Sequence, residues 1–275
     1  AYNDSLYSVE VNTLSDFTEA DSALTQFRII AHMEEGNYVS EIATGYSIDN
    51  IDPSTPDDVT ASITDNDLTL SWATSPDIDF SYSRITALYH PQVYTVENTF
   101  NASFVESYNE YFVNSIDTHD NISENSEIVS AFELHEGANL ISLNILPNDA
   151  SPESVFGNAS YGAISEGVAT VNQDGSWVGS LTEFNACDGY WVFMDDEISH
   201  TVIGESSECD YSLHEGNNLK SYPCNSEVQT SSAINNECIS GLIGEGMAGI
   251  NIEGNWFGSL QSLHPGDAYW ITSDC

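Results

Sequence analysis

Basic side chains are nearly missing from this chain: 3 Lys+Arg stand against 44 Asp+Glu in 275 residues, a formal net charge of −41. Arg28, Arg84 and Lys220 are the whole set, so almost no carboxylate finds a salt-bridge partner and solvent cations must relieve the repulsion. Nucleic acid and anionic membranes are excluded as direct partners. Long apolar runs are missing too. No stretch approaches the ~20 residues of a membrane helix, and Ala1 opens without a basic or apolar leader, so a secreted chain in salty surroundings, its signal peptide already removed, is expected.

Catalytic signatures are equally scarce. His32-Met33-Glu34-Glu35 lacks the second His of a metalloprotease helix, there is no GxSxG elbow, and Gly241, Gly244 and Gly246 are wrongly spaced for a dinucleotide loop. Carboxylate pairs occur everywhere, so none stands out as a glycosidase acid and nucleophile. No enzymatic activity is expected. Five cysteines form no CxxC pair, which argues against zinc. Their spacing predicts Cys209 with Cys275, tying the ends of the last unit, and Cys224 with Cys238 inside it. Cys187 is left odd, as a buried thiol or one pairing across chains.

What is present is a duplication. FELHEGANLIS from Phe132 returns as YSLHEGNNLKS from Tyr211; Leu134 and Leu213, Glu166 and Glu245, Trp177 and Trp256, and Trp191 and Trp270 all stand 79 positions apart. A gap-free repeat of that length marks duplicated folding units. Each copy reads as a small all-β unit with a hairpin at Asp174-Gly175 and a closing Asp188-Gly189-Tyr190-Trp191 strand, plus short helical turns at 151–155 and 231–234. Gly179 and Gly258 are expected where one backbone approaches another. Ahead of the repeats, DLTLSWA points Leu68, Leu70 and Trp72 one way and Asp67, Thr69 and Ser71 the other, the pattern of a half-buried strand. Strands are expected also at LYSVEV (from Leu6), FRIIAHM (from Phe27) and YVSEIATGYSI (from Tyr38), the last after a turn at Glu35-Gly36-Asn37.

Residues 53–130 resemble a fibronectin type III domain in their Pro-rich lead-in, Trp72 on the second strand, and the Tyr111–Asp117 strand leading through Asp120-Asn121 to Glu127-Ile128-Val129. FRIIAHMEEGNYVSE is similar to the end of that unit, so residues 1–50 resemble the back half of another. The tandem arrangement, with GxNLIS starts and GYW ends, is similar to modules of large secreted surface proteins of marine bacteria. The resemblance implies an all-β chain of tandem β-sandwich modules plus two homologous small β modules, divided at 1–50, 51–131, 132–208 and 209–275. A structural or adhesive role at a cell surface is expected, with other copies of itself or other surface proteins as partners; the missing strands of the first unit are either supplied by a neighbour or belong to a longer chain of which this is a part.

Three sets of candidate site residues remain. Trp177 and Trp256 are candidates for stacking on glycan rings, as in a carbohydrate-binding ancillary module, or else are core. His135-Glu136 and His214-Glu215 recur at equivalent turns but offer too few neighbouring ligands for Zn²⁺, and read as solvated turns. Asp49, Asp52, Asp77 and Asp79 offer oxygen ligands for calcium at the Pro-containing linker and nearby loop tips, the alternative being weak multivalent cation binding.

Overall fold

The structure, a computed structural model, describes residues 11–18, 20–104, 106–234 and 238–275. Half of it is strand and 3% helix, so the chain is all-β. Of the strand expected from Leu6, residues 6–10 lie outside the described residues. FRIIAHM divides: Thr25–Phe27 pairs with Ala43–Gly45, whereas Ile30–Met33 forms a hairpin with Gly36–Val39 around Glu34-Glu35, one residue earlier than expected. Two-stranded ribbons bury little. Ile30, Met33, Tyr38 and Val39 accordingly each keep at least half of their surface in solvent.

A two-layer antiparallel sandwich follows. Thr60–Thr64, Asp67–Ser71 and Thr99–Ser103 make one sheet. Val93–Thr95, Phe80–Ala87, Tyr108–Asp117 and Ile128–Leu134 lie in that order in the other. Leu68, Leu70 and Trp72 enter the core as their alternation predicts, meeting Ile85, Tyr111 and Val113, and the Trp72 indole N–H donates to Ser83 Oγ. Asp65 and Asn66 turn the first hairpin with positive φ, matching strand twist. Pro53 and Pro56 of the linker are buried.

The second sheet does not stop at the expected 131/132 division. Ile128–Leu134 pairs along its whole length with Ile198–Ser206, and that strand pairs onward with Ile145–Leu146. Both strands serve two cores. Val129, Ala131 and Ile203 pack with the sandwich, whereas Phe132, Leu134, Ile198 and Val202 pack with the first repeat. Gly204 is required here: a Cβ would lie 1.9 Å from the Leu146 carbonyl oxygen.

The repeats share one topology. In the first, Gly137–Ser142, Gly189–Met194, Gly162–Ser165, Val168–Gln173 and Ser176–Gly179 lie in that spatial order. In the second the order is Gly216–Ser221, Ala268–Ser273, Ile239–Gly244, Met247–Ile252 and Asn255–Gly258. Gly179 and Gly258 allow the expected close approach, since an added Cβ would meet the Ala169 or Ala248 carbonyl oxygen at 2.2 and 2.3 Å. The short helices are Pro152–Phe156, capped by Ser151, and Thr230–Ala233.

The expected disulfides are not those formed. Cys187 pairs with Cys209 and Cys238 with Cys275, and Cys224 is a free, exposed thiol. Antiparallel register is the reason: Ile239 lies opposite Ser273 and the Asp274 N–H donates to the Cys238 carbonyl, which leaves Cys238 beside Cys275 rather than Cys224. Cys187, expected to be odd, instead ties the first repeat to the segment entering the second.

Candidate functional site

The two repeats dock on each other through reciprocal contacts. Glu245 of the second accepts from the Leu140 N–H at 2.7 Å and lies 2.5 Å from His135 Nε2; Glu166 of the first accepts from the Leu219 N–H at 3.1 Å and lies 2.5 Å from His214 Nε2. Each residue and its counterpart differ by the same repeat offset, so this is an isologous, pseudo-twofold interface within one chain. Between the pairs lies an apolar patch of Leu140, Leu219 and Ala268 flanked by Trp191 and Trp270. Ser142 N–H donates to the Gly266 carbonyl and Ser221 N–H to the Cys187 carbonyl, again at equivalent positions. Asn144 Nδ2 adds a 2.5 Å bond to the Tyr222 carbonyl.

One position breaks the symmetry. Asp188 is bonded by Lys220 Nζ at 2.6 Å, spending one of the three basic side chains on this joint. Its counterpart Asp267 lies in a bridge with Ile141, which offers no charge. Burial therefore raises the Asp267 carboxyl to about 6, against a hydrogen bond from Tyr269. Opposite Glu166, His214 is raised chiefly by that carboxylate. His135 is raised by the Glu136 carbonyl and then by Glu245. Burial raises Glu166 too, but the bonds from His214 and the Leu219 N–H outweigh it and hold the group below its ordinary 4.5.

These directions fix a pH profile. The three raised groups contribute stability that is complete at low pH and lost as pH rises through their folded values; the lowered Glu166 contributes above its unfolded value and is lost as pH falls. Asp267 loses its contribution between its ordinary 3.8 and about 6, so docking is expected to be firmest just above the ordinary glutamate value of 4.5 and to weaken from there toward alkaline pH. Thermal unfolding followed from acid to alkaline pH checks this. Monotonic strengthening to high pH would contradict it.

Neither tryptophan candidate is fully buried. Trp177 is half-buried against the first repeat's core and its indole N–H donates to the Gly157 carbonyl at 3.0 Å; Trp256 is half-buried against the second. Of the acidic candidates, Asp49 and Asp79 come together. Asp117 and His119 join them, with potential ligand atoms all within 4.8 Å. The Asp117 carboxyl, 1% exposed, is raised by burial but held low overall by the Asn121 amide and the N–H groups of His119 and Asn121. His119 Nδ1 lies 3.0 Å from Asp49 Oδ2. Three carboxylates and an imidazole suit a divalent cation. Asp52 and Asp77 do not join: Asp52 is exposed in the linker and Asp77 accepts from Ser54 N–H and Oγ. Asp117 and His119 escaped sequence reasoning because only the path of the linker brings Asp49 to them.

No family model matches the chain, and no curated protein matches it. Among solved structures it is similar to a chitinase, ChiA74 from Bacillus thuringiensis, at 12% identity and TM-score 0.29 over 59% of this chain. The match spans 29% of that chain's length. It is also similar to the FN1-FN3 domains of chicken CNTN1, at 12% identity and TM-score 0.23, over 81% of this chain and 95% of that one. At these TM-scores neither likeness contributes to the functional argument.

Proposed function

We propose that the chain is a non-catalytic, extracellular structural or adhesive protein, a subunit or segment of a cell-surface assembly such as a filament, sheath or surface layer. The observation that supports this most is how its units are joined. A type III-like sandwich and the first repeat share paired strands, the repeats are locked by a reciprocal interface, and the Cys187–Cys209 bridge ties the repeats covalently. Such joints suit a stiff, load-bearing element better than a tethered enzyme. The repeats also present duplicated apolar surface: Ile164, Val171 and Val178 are exposed in the first, and Ile243, Ile250 and Phe257 at the equivalent positions of the second. Patches of this kind mark contact surfaces.

Light scattering of the native chain, in calcium and then in chelator, tests the proposal. A large polymer is expected, disassembling in chelator if the acidic linker site holds an ion. A 30.0 kDa monomer in both conditions would overturn the subunit role.

A further inference from the structure

The sheets of the two repeats are nearly free of charge. In a chain of which 17% is Asp, Glu, Lys or Arg, the strands of the first sheet carry no charged residue. Those of the second carry only Lys220, which is bound to Asp188. A buried core explains one side of each sheet, because side chains alternate along a strand and Tyr190, Val192 and Leu242 face inward. It does not explain the outer side. There Leu140, Trp191 and Ile164 lie opposite one another across three neighbouring strands, as do Leu219, Trp270 and Ile243 in the second repeat. Leu140, Trp191, Leu219 and Trp270 belong to the patch on which the repeats dock. The same outer sides continue past that patch through Ile164, Val171 and Val178 in one repeat and Ile243, Ile250 and Phe257 in the other, all between 43% and 54% exposed. Where this surface is covered, its cover is the outer side of the homologous sheet.

We infer that the outer sides are a self-association surface: Ile164, Val171 and Val178 on the first repeat of one copy pack against Ile243, Ile250 and Phe257 on the second repeat of another. This pairing of first with second repeat extends the one already made within the chain. Size favours it too, since the two valines leave room that Phe257 and the isoleucines fill. Charge selects the place. Two chains of formal charge −41 repel each other, and contact costs least where no carboxylate is desolvated. Carboxylates stand instead at the rim of these sheets, with Glu166 and Asp174 in the hairpin turns of the first and Glu245 and Glu253 in those of the second. Salt therefore strengthens the contact by screening the rims. The two surfaces belong to different repeats, so the contact is head-to-tail and propagates. The inference rests on the subunit reading above and supplies its contact.

The test uses full-length Val171→Asp, which charges the first surface, and Ile250→Asp, which charges the second. Both positions are exposed, so both variants are expected to fold, as circular dichroism will check. Val171→Thr and Ile250→Thr keep β-branching and form a milder pair, expected to weaken assembly in the same direction. By light scattering, wild type is expected to be polymeric in high salt and to dissociate as salt is lowered, whereas each Asp variant alone stays at the single-chain mass of 30.0 kDa. Mixed together, the two Asp variants are expected to form dimers and nothing larger, because each retains the surface the other lacks. Polymers that survive both Asp substitutions would overturn the contact while leaving the subunit reading intact. Survival of only one substitution, or a mixture that yields no dimer, would overturn the first-to-second pairing. Polymers that dissolve as salt rises would overturn the charge-free contact, and a wild-type chain that stays monomeric would overturn both the contact and the subunit reading.

Discussion

Val202→Asp is expected to unfold the sandwich and the first repeat together, at a cost above about 4 kcal/mol. Val202 is 4% exposed, lies opposite Ser130 in the paired strands, and packs into the first repeat's core. Its removal forfeits roughly 1.5–3 kcal/mol of apolar burial. The larger part comes from the new carboxylate, which would be desolvated inside an apolar core. Because the strand belongs to two cores, the damage is not confined to one. Urea titration by far-ultraviolet circular dichroism should show a single transition displaced to much lower urea. A variant in which only part of the signal shifts would mean that the shared strand does not couple the units.

Leu219→Asp is expected to undock the second repeat while leaving it folded. Leu219 is wholly buried against Leu140 and Ala268 between Trp191 and Trp270, and its N–H already binds the Glu166 carboxylate. A second carboxylate there meets apolar surface and like charge, for a loss of about 3–5 kcal/mol of docking. The second repeat has its own core of Tyr222, Ile239, Leu242, Leu260, Leu263 and Tyr269, distinct from this patch. Small-angle scattering should therefore show an enlarged radius of gyration, with the Cys187–Cys209 bridge keeping the parts tethered. An unchanged radius would show that the reciprocal bonds hold without the apolar centre.

Local pattern explains what was legible in the sequence. The alternation in Asp67–Ser71 and the offset shared by the two repeats report contacts made within one hairpin or one copy, so the sandwich strand and the module duplication could be read directly. The Ile198–Ser206 strand could not. It mixes Ser, His and Thr with apolar residues, and its partner lies about seventy positions upstream in another unit. The His–Glu docking pairs are separated by 110 and 48 residues, although equal offsets between His135 and His214 and between Glu166 and Glu245 carried a usable signal. Disulfide partners depended on strand register, which spacing does not give. Asp49 and Asp79 were found by composition, whereas Asp117 and His119 needed the fold.

Native-state hydrogen exchange across the Ile128–Leu134 and Ile198–Ser206 strands tests most directly that the units form one jointed body. The account predicts that amides of both strands, and of Gly137–Ser142 in the repeat beyond, exchange through one common opening with the same free energy. Fast, independent exchange of Ile198–Ser206 beside a still-protected sandwich would contradict it.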